Sequence, residues 1–172
     1  DVPLTYGVHF LAQSPAMMRR QRTLLVGVLA AWVSMPGLAS AINFCTFNTV
    51  GVAFGNYNVF SAAALMANGT VTYRCLGVGN DTVIVTLSRG NAPSFQPRQM
   101  RRGGVEVLAY NLYLDAAASQ IWGDGTSGTQ QYGPVNPQNN QNITVTIFGR
   151  IPPRQEVSIG TYSDSVVATI IY

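Results

Sequence analysis

Few residues in this sequence are of the types that carry out catalysis. The single histidine is His9, and lysine is absent because all ten basic residues are arginines. Histidine is the commonest general base, and lysine is the usual amine nucleophile. Beyond residue 41 neither type occurs, so the hydroxyl of a residue such as Ser88 has no base to activate it. The sequence therefore argues against an enzyme, hydrolases included, and indicates no cofactor.

The two cysteines, Cys45 and Cys75, allow two kinds of chemistry. In an exported chain the oxidising compartment favours a disulfide between them. A metal site would need further cysteine or histidine ligands, and residues 42–172 contain none. We therefore predict a disulfide and no metal.

Asp124 is the carboxylate with the clearest alternative roles. It lies in the sequence Trp-Gly-Asp-Gly-Thr at 122–126, where aspartate and glycine favour a tight turn. Calcium would also suit a carboxylate with backbone oxygens, but no second carboxylate is near in sequence. We predict a turn here, and turn or cap roles for Asp115 and Asp164.

Arg98, Arg101 and Arg102 form a cluster that could contact an anionic surface or a polysaccharide. Three charges give little affinity at physiological salt, so a solvated loop is the prediction.

Aromatic residues in the predicted loops could make adhesive contacts, as aromatics do at binding surfaces. These loop aromatics are Tyr57, Phe60, Phe95, Trp122 and Tyr132. A second set of aromatics is predicted to belong to the core instead, namely Phe54, Tyr110 and Tyr113.

The first 41 residues have the features of a targeting segment. Arg19, Arg20 and Arg22 precede an apolar run at 23–33, and Ala-Ser-Ala at 39–41 suits a cleavage site. The run is shorter than the roughly 20 residues that span a bilayer. We predict a cleaved Sec signal, with a retained membrane anchor as the alternative.

This segment divides the chain into three parts. Residues 1–16 precede Met17 and Met18, either of which suits a translation start, so we place them outside the fold as an upstream extension. Residues 17–41 form the predicted signal, and residues 42–172 form one domain. That domain has seven arginines against six acidic residues. Its net charge of about +1 gives no support to nucleic-acid binding, and we expect no stable membrane insertion.

Residues 42–172 consist of short alternating segments separated by glycine, asparagine and proline, with no convincing helix. Asn-Gly at 68–69 predicts a hairpin turn, and the polar segment 121–142 predicts a surface excursion. Seven strands are predicted, at residues 50–54, 70–75, 82–88, 105–114, 143–148, 157–159 and 162–172. This spacing is typical of an all-β immunoglobulin-like sandwich.

The last predicted strand, residues 162–172, matters most for function. Its sequence YSDSVVATIIY alternates, and the side chains on one face are those of Val166, Ala168, Ile170 and Tyr172. Because the other face is also largely apolar, we predict a buried strand, which needs hydrogen-bonded neighbours on both edges. Either an earlier segment or another polypeptide must occupy the second edge.

Several short sequences resemble the spore coat protein U family, a domain shared with subunits of archaic chaperone–usher pili. They cover essentially all of residues 42–172. The matching sequences are Val-Ala-Phe-Gly-Asn-Tyr at 52–57, Gly-Thr-Val at 69–71, Val-Thr-Leu-Ser-Arg-Gly at 85–90, Arg-Gln-Met at 98–100, Leu-Ala-Tyr-Asn-Leu-Tyr at 108–113, Trp-Gly-Asp-Gly-Thr at 122–126, Phe-Gly-Arg-Ile-Pro at 148–152 and Gly-Thr-Tyr-Ser-Asp at 160–164, with Cys45 and Cys75.

The resemblance implies an incomplete, pilin-type immunoglobulin-like sandwich that lacks its last strand. A periplasmic chaperone lends a strand, and in the fibre the N-terminal extension of another subunit replaces it. The implied partners are this chaperone, an outer-membrane usher and other pilus subunits, and the implied location is the cell surface. The acceptor groove is expected to be lined by Val166, Ala168, Ile170 and Tyr172.

The predicted cleavage site departs from the fibre-forming pattern. Cleavage after Ala41 leaves three residues before Cys45, which reach about 10 Å at about 3.3 Å each. That arm is too short to donate a strand, so we expect a tip or terminating subunit, or a coat protein that does not polymerise. The alternative is a self-contained secreted module that binds carbohydrate or another surface and satisfies its last strand internally.

Overall fold

The computed structural model describes residues 7–13, 44–77 and 81–172, and within these ranges the regular structure is entirely β. The strands are β1 (Gly7–Gln13), β2 (Phe44–Val50), β3 (Leu65–Leu76), β4 (Val83–Leu87), β5 (Arg98–Arg102), β6 (Glu106–Tyr113), β7 (Tyr132–Val135), β8 (Ile143–Ile151) and β9 (Ser163–Ile171). The all-β prediction is confirmed. The described residues include no helix that is long and apolar enough to cross a bilayer.

Eight strands follow one hydrogen-bonded path in the order β2-β3-β8-β6-β5-β9-β4-β7. The path folds over at β6, whose first half pairs with β5 and whose second half pairs with β8. Consequently Tyr73 of β3 and Tyr132 of β7, from strands near opposite ends of the path, have ring centroids 6.4 Å apart. The two halves therefore enclose one core, as in the predicted sandwich.

Alternation along the strands supplies this core. Each of the central strands buries every second side chain, and Trp122 fills the space between them with no exposed area. The indole Nε1 of Trp122 donates to the backbone oxygen of Val85 at 2.9 Å. The fully buried aliphatic residues include Val83, Val85, Leu87, Leu108, Leu112, Ile147, Val166 and Ile170. The burial of each of these side chains contributes about 1.5–3 kcal/mol.

The loop aromatics divide into buried and exposed residues. Trp122, Tyr57 and Phe95 are buried, and Tyr132 packs partly buried against the core. Phe60 is 90% exposed and is the one member of this set available for an adhesive contact. Of the aromatics predicted for the core, Phe54 and Tyr110 are buried as expected, whereas Tyr113 is only partly buried.

The predicted hairpin at Asn68-Gly69 is wrong, because both residues lie inside the twelve-residue strand β3. Gly69 instead permits a close approach of the chain after β2. A Cβ at this position would lie 2.6 Å from the backbone oxygen of Val50 and 2.9 Å from a methyl carbon of Val52. The strand predicted at 50–54 is also wrong, because the strand in this region is β2, which ends at Val50.

Three further segments differ from the prediction. Residues 157–159 are not a strand, and β5 and β7 lie where loops were expected. β5 pairs with β6 over all five of its residues, and β7 pairs with β4 around a register shift. β5 forms a hairpin with the strand that follows it, and β7 pairs with a strand that is distant in sequence. In both segments this pairing outweighs the weak local strand propensity of their sequences.

Cys45 and Cys75 are register partners on β2 and β3 and form a disulfide, as predicted. Cys75 is fully buried, so the bridge attaches the first strand of the path to the core.

Replacing both cysteines by alanine is expected to lower the free energy of unfolding by roughly 3.5 kcal/mol, because the bridge closes a loop with a sequence separation of 30. Urea titration of oxidised wild type against the double variant measures this loss. Chemically reduced wild type is the control and should match the variant. Equal unfolding midpoints for the oxidised protein and the variant would contradict the prediction.

Candidate strand-acceptor site

β9 has one buried face and one partly exposed face. Val166, Ala168 and Ile170 are fully buried, and Tyr172, just beyond the strand, packs partly buried against the core. The structure thus brings the four predicted groove residues to the core side. The prediction that the opposite face of β9 is also buried is wrong, because Ile171 on that face is 41% exposed.

β9 has a neighbouring strand on each edge. β4 pairs antiparallel with residues 168–171, and β1 pairs parallel with residues 163–169. Because Ala168 and Thr169 pair with both strands, β1 and β4 must lie on opposite edges. An earlier segment of the same chain therefore occupies the second edge, which is one of the two solutions that the sequence allowed.

β1 lies within residues 1–16, and in the full chain residues 7–13 pair with β9. That residues 1–16 are an upstream extension and that residues 1–41 are removed both stay predictions, and the signal at 17–41 lies outside the described residues. The register pairs Phe10 with Val166 and Ala12 with Ala168. Cα atoms of β1 also come within 8 Å of β2, so β1 lies close to β2 as well as to β9.

Arg98 holds together three segments beside this site. It is fully buried, and its guanidinium donates to Asn111 Oδ1 at 2.7 Å and to the backbone oxygens of Trp122 at 2.6 Å and Ser88 at 2.9 and 3.0 Å. The ring of Phe95 lies 5.1 Å from its Cζ atom. Burial lowers the pKa of Arg98 to about 10, so it stays charged at neutral pH. The predicted solvated loop is wrong for this residue, although Arg102 is exposed.

Asp164, at the start of β9, is the second buried charged group. It is 2% exposed, and its carboxylate accepts hydrogen bonds from Asn91, Ser165 and the hydroxyl of Tyr110. Burial, followed by the charge of Asp164, raises the pKa of Tyr110 well above its usual value, so this hydroxyl remains a donor at all physiological pH values. Asp164 lies inside β9 rather than in a turn, and its carboxylate joins this strand to two other segments, the turn at Asn91 and β6.

The predictions of turn roles for Asp124 and Asp115 are confirmed. Asp124 accepts from the backbone N–H of Thr126 at 2.9 Å and from its hydroxyl at 2.6 Å. Asp115 accepts from the N–H groups of Ser119 at 3.0 Å and Gln120 at 2.7 Å. Across the part of the chain that the structure describes, no group of three or more histidine, cysteine or acidic residues could hold a metal ion.

Glu106 forms the exposed link between β6 and the segment that leads into β9. Its carboxylate accepts from Ser158 N–H at 3.2 Å, from Arg102 at 2.7 Å and from the hydroxyl of Tyr162 at 3.1 Å. These contacts, that with Ser158 first, lower the pKa of Glu106 from its usual 4.5 to about 2.

The low pKa of Glu106 predicts a pH dependence with a defined sign. Since the folded-state pKa is below the unfolded value, the stabilisation is present above pH 4.5 and is lost as the pH falls towards 2. Glu106→Gln should therefore flatten the acid side of a plot of unfolding midpoint against pH. An unchanged slope between pH 4.5 and 2 would contradict this assignment.

A family model described as the Spore Coat Protein U domain matches residues 31–169. The chain belongs to this family. The match extends over every strand from β2 to β8 and over most of β9, and it begins before residue 42, inside the predicted signal.

Two known proteins are similar to this Spore Coat Protein U domain. "Protein U" of Myxococcus xanthus is 31% identical over 138 residues, which cover 76% of this chain and 71% of that protein. A crystal structure of the CsuC–CsuE chaperone–tip adhesion subunit pre-assembly complex, from archaic chaperone-usher Csu pili of Acinetobacter baumannii, has a similar fold at a TM-score of 0.50 and 16% identity. The likeness covers 76% of this chain but only 40% of that solved chain.

Sequence reasoning missed the polar residues that surround β9. Arg98 was missed because an arginine-rich segment is usually solvated, although in RQMRR the apolar Met100 shares an alternating face with it. Ser88 and Asp164 have no local signal, because their partners are far away in sequence.

Proposed function

We propose that this chain is an exported structural subunit of a surface pilus or coat-like layer, assembled by chaperone-assisted strand complementation. The observation that carries the proposal is the second edge of β9, which pairs with β1, a segment from outside the sandwich domain. Thirty residues, 14–43, separate β1 from β2. Because the strand on this edge comes from a segment so distant in sequence, a strand from another polypeptide could occupy the same edge.

The chemistry of strand addition fits this edge. Main-chain hydrogen bonds fix the register, and alternate apolar side chains of the added strand fill a groove. We assign the lining of that groove to Val166, Ala168, Ile170 and Tyr172. The first three are fully buried in the complemented state, so their exposure would be costly in an empty groove.

The partners on this proposal are a periplasmic chaperone, an outer-membrane usher and other subunits. Support comes from the similar fold of the chaperone–tip adhesion subunit complex. Export follows the Sec signal at 17–41, cleavage leaves the domain 42–172, and the subunit passes through the periplasm to the cell surface.

A tip or terminating position, or a coat layer without polymerisation, suits the processed N-terminus. Cleavage after Ala41 leaves three residues before Cys45, and β2 already begins at Phe44. Only Ile42 and Asn43 then lie before β2, too few to complete a neighbouring subunit.

A second candidate function is a self-contained module that binds carbohydrate. Two observations favour it: β1 completes the sheet within one chain, and a cavity of about 360 Å³ lies between the segments 88–95 and 124–127. Its lining offers hydroxyl, carboxylate and guanidinium groups from Ser94, Thr126, Ser127, Asp124 and Arg89.

Co-expression separates the two functions. Residues 42–172 should be poorly soluble alone and should co-purify one-to-one with a periplasmic chaperone of the chaperone–usher type. Val166→Asp, on the core face of β9, should abolish the complex, while Ser165→Asp, on the exposed face, is the matched control and should retain it. A stable monomer of residues 42–172 that ignores the chaperone would overturn the proposal and favour the binding module.

A further inference from the structure

On the edge that it shares with β4, β9 pairs with β5 at Ser163, and in its first half, between Ser163 and Ala168, it is held by Ser88 and Asp164. The ladder with β4 stops at Ala168, where β4 ends at Leu87. One step earlier, the N–H of Ser88 donates to the backbone oxygen of Val167 at 2.8 Å, and Ser88 Oγ accepts the N–H of Val167 at 2.9 Å. The hydroxyl thus replaces the carbonyl that a continuing strand would offer.

Asp164 fixes the beginning of the same half. Its Oδ1 accepts the N–H of Ser165 at 2.8 Å and both the N–H and the side-chain amide of Asn91 at 2.9 Å, while Oδ2 accepts the hydroxyl of Tyr110 at 2.7 Å. A Cβ on Gly90 would overlap this carboxylate. The turn at 88–91 therefore closes directly over Asp164.

The edge that receives β1 faces the other way. Backbone groups of successive strand residues alternate between the two edges. Because the N–H and C=O of Val167 are directed to Ser88, those of Val166 and Ala168 are directed to β1, where their register partners are Phe10 and Ala12.

We propose that Asp164 and Ser88 are positioning residues that hold the first half of β9 extended, and so present its other edge to an incoming strand. The backbone of Asp164 has Val8 of β1 as its register partner, but the hydrogen bonds just described for its carboxylate and for the Ser88 hydroxyl are made with residues of the domain 42–172. These bonds can therefore form whether or not that edge is occupied, and they keep an empty edge in the geometry that strand addition requires. This inference rests on the proposed function, since it concerns the same edge.

Hydrogen exchange in the full chain tests the inference. In Asp164→Ala, the amides of Val166 and Ala168 should exchange about tenfold faster than in wild type, the size expected for one lost hydrogen bond, while amides of β3 change little. Asp164→Asn keeps the Oδ1 acceptor and should retain most of the protection. Val71→Ala, a fully buried change on β3, is the control and should accelerate both strands equally.

Equal acceleration of β3 and β9 in Asp164→Ala, as in the control, would overturn the positioning role. If Asp164→Ala does not fold, Ser88→Ala removes one hydroxyl and gives the same comparison at the same amides. Failure of the proposed function looks different: local exchange at β9 would rise as expected, yet no chaperone complex would form.

Discussion

A chain that begins at residue 42 is expected to be far less stable than the full chain. Without β1, residues 163–169 lose their parallel partner, and Val166 and Ala168, the fully buried register partners of Phe10 and Ala12, lie on an open edge. Exposure of the Val166 side chain alone costs up to about 1.5–3 kcal/mol. Whole domains are stable by only about 5–15 kcal/mol.

Urea titrations of the two chains under oxidising conditions measure this loss. The matched control is a full-length chain in which residues 7–13 are replaced by an equal length of glycine and serine. It should behave like the chain that begins at residue 42, because glycine and serine supply no apolar side chains in place of those of residues 7–13. Since this control keeps residues 14–41, it separates the loss of β1 from the loss of the residues that follow it. A control as stable as wild type would mean that β1 contributes nothing to the fold.

Arg98→Ala is expected to destabilise the domain by about 3–5 kcal/mol, in the range for breaking a buried charged network. The substitution removes the guanidinium donor from the backbone oxygens of Trp122 and Ser88 and from Asn111 Oδ1, which keeps only the N–H of Leu112. Arg98→Lys should restore only part of the loss, because an ammonium group cannot reproduce the planar fork of a guanidinium.

Arg101 provides the matched control for this prediction. It lies on the same strand, is partly exposed, and donates to Gly104 at 3.2 Å. Arg101→Ala should change the free energy of unfolding by no more than about 0.5 kcal/mol. Equal losses in the two variants would mean that the buried network does not stabilise the domain.

The sequence predicted those features that local alternation and residue chemistry determine. The core face of β9, with Val166, Ala168 and Ile170, follows from a period of two. The Cys45–Cys75 bridge follows from two cysteines in a chain with a predicted export signal. The need for a neighbour on the second edge of β9 follows from unsatisfied backbone groups.

The pairing of strands that are distant in sequence could not be predicted from local alternation or residue chemistry. The sequence GVHFLAQ of β1 alternates only weakly, and nothing in it indicates that its partner is β9 rather than another strand. Gly69 looks like a hairpin residue because the approach of Val50 and Val52 depends on tertiary structure. For the same reason, Arg98 could not be identified as buried before its acceptors were in place.

The central claim is that β9 carries an edge that needs a strand from outside the domain 42–172. The most direct measurement is hydrogen exchange at the amides of Val166 and Ala168 in that domain, refolded with and without a peptide of residues 7–13. We expect rapid exchange without peptide and saturable, one-to-one protection when it is added. Full protection of both amides in the domain alone, unchanged by peptide, would contradict the claim.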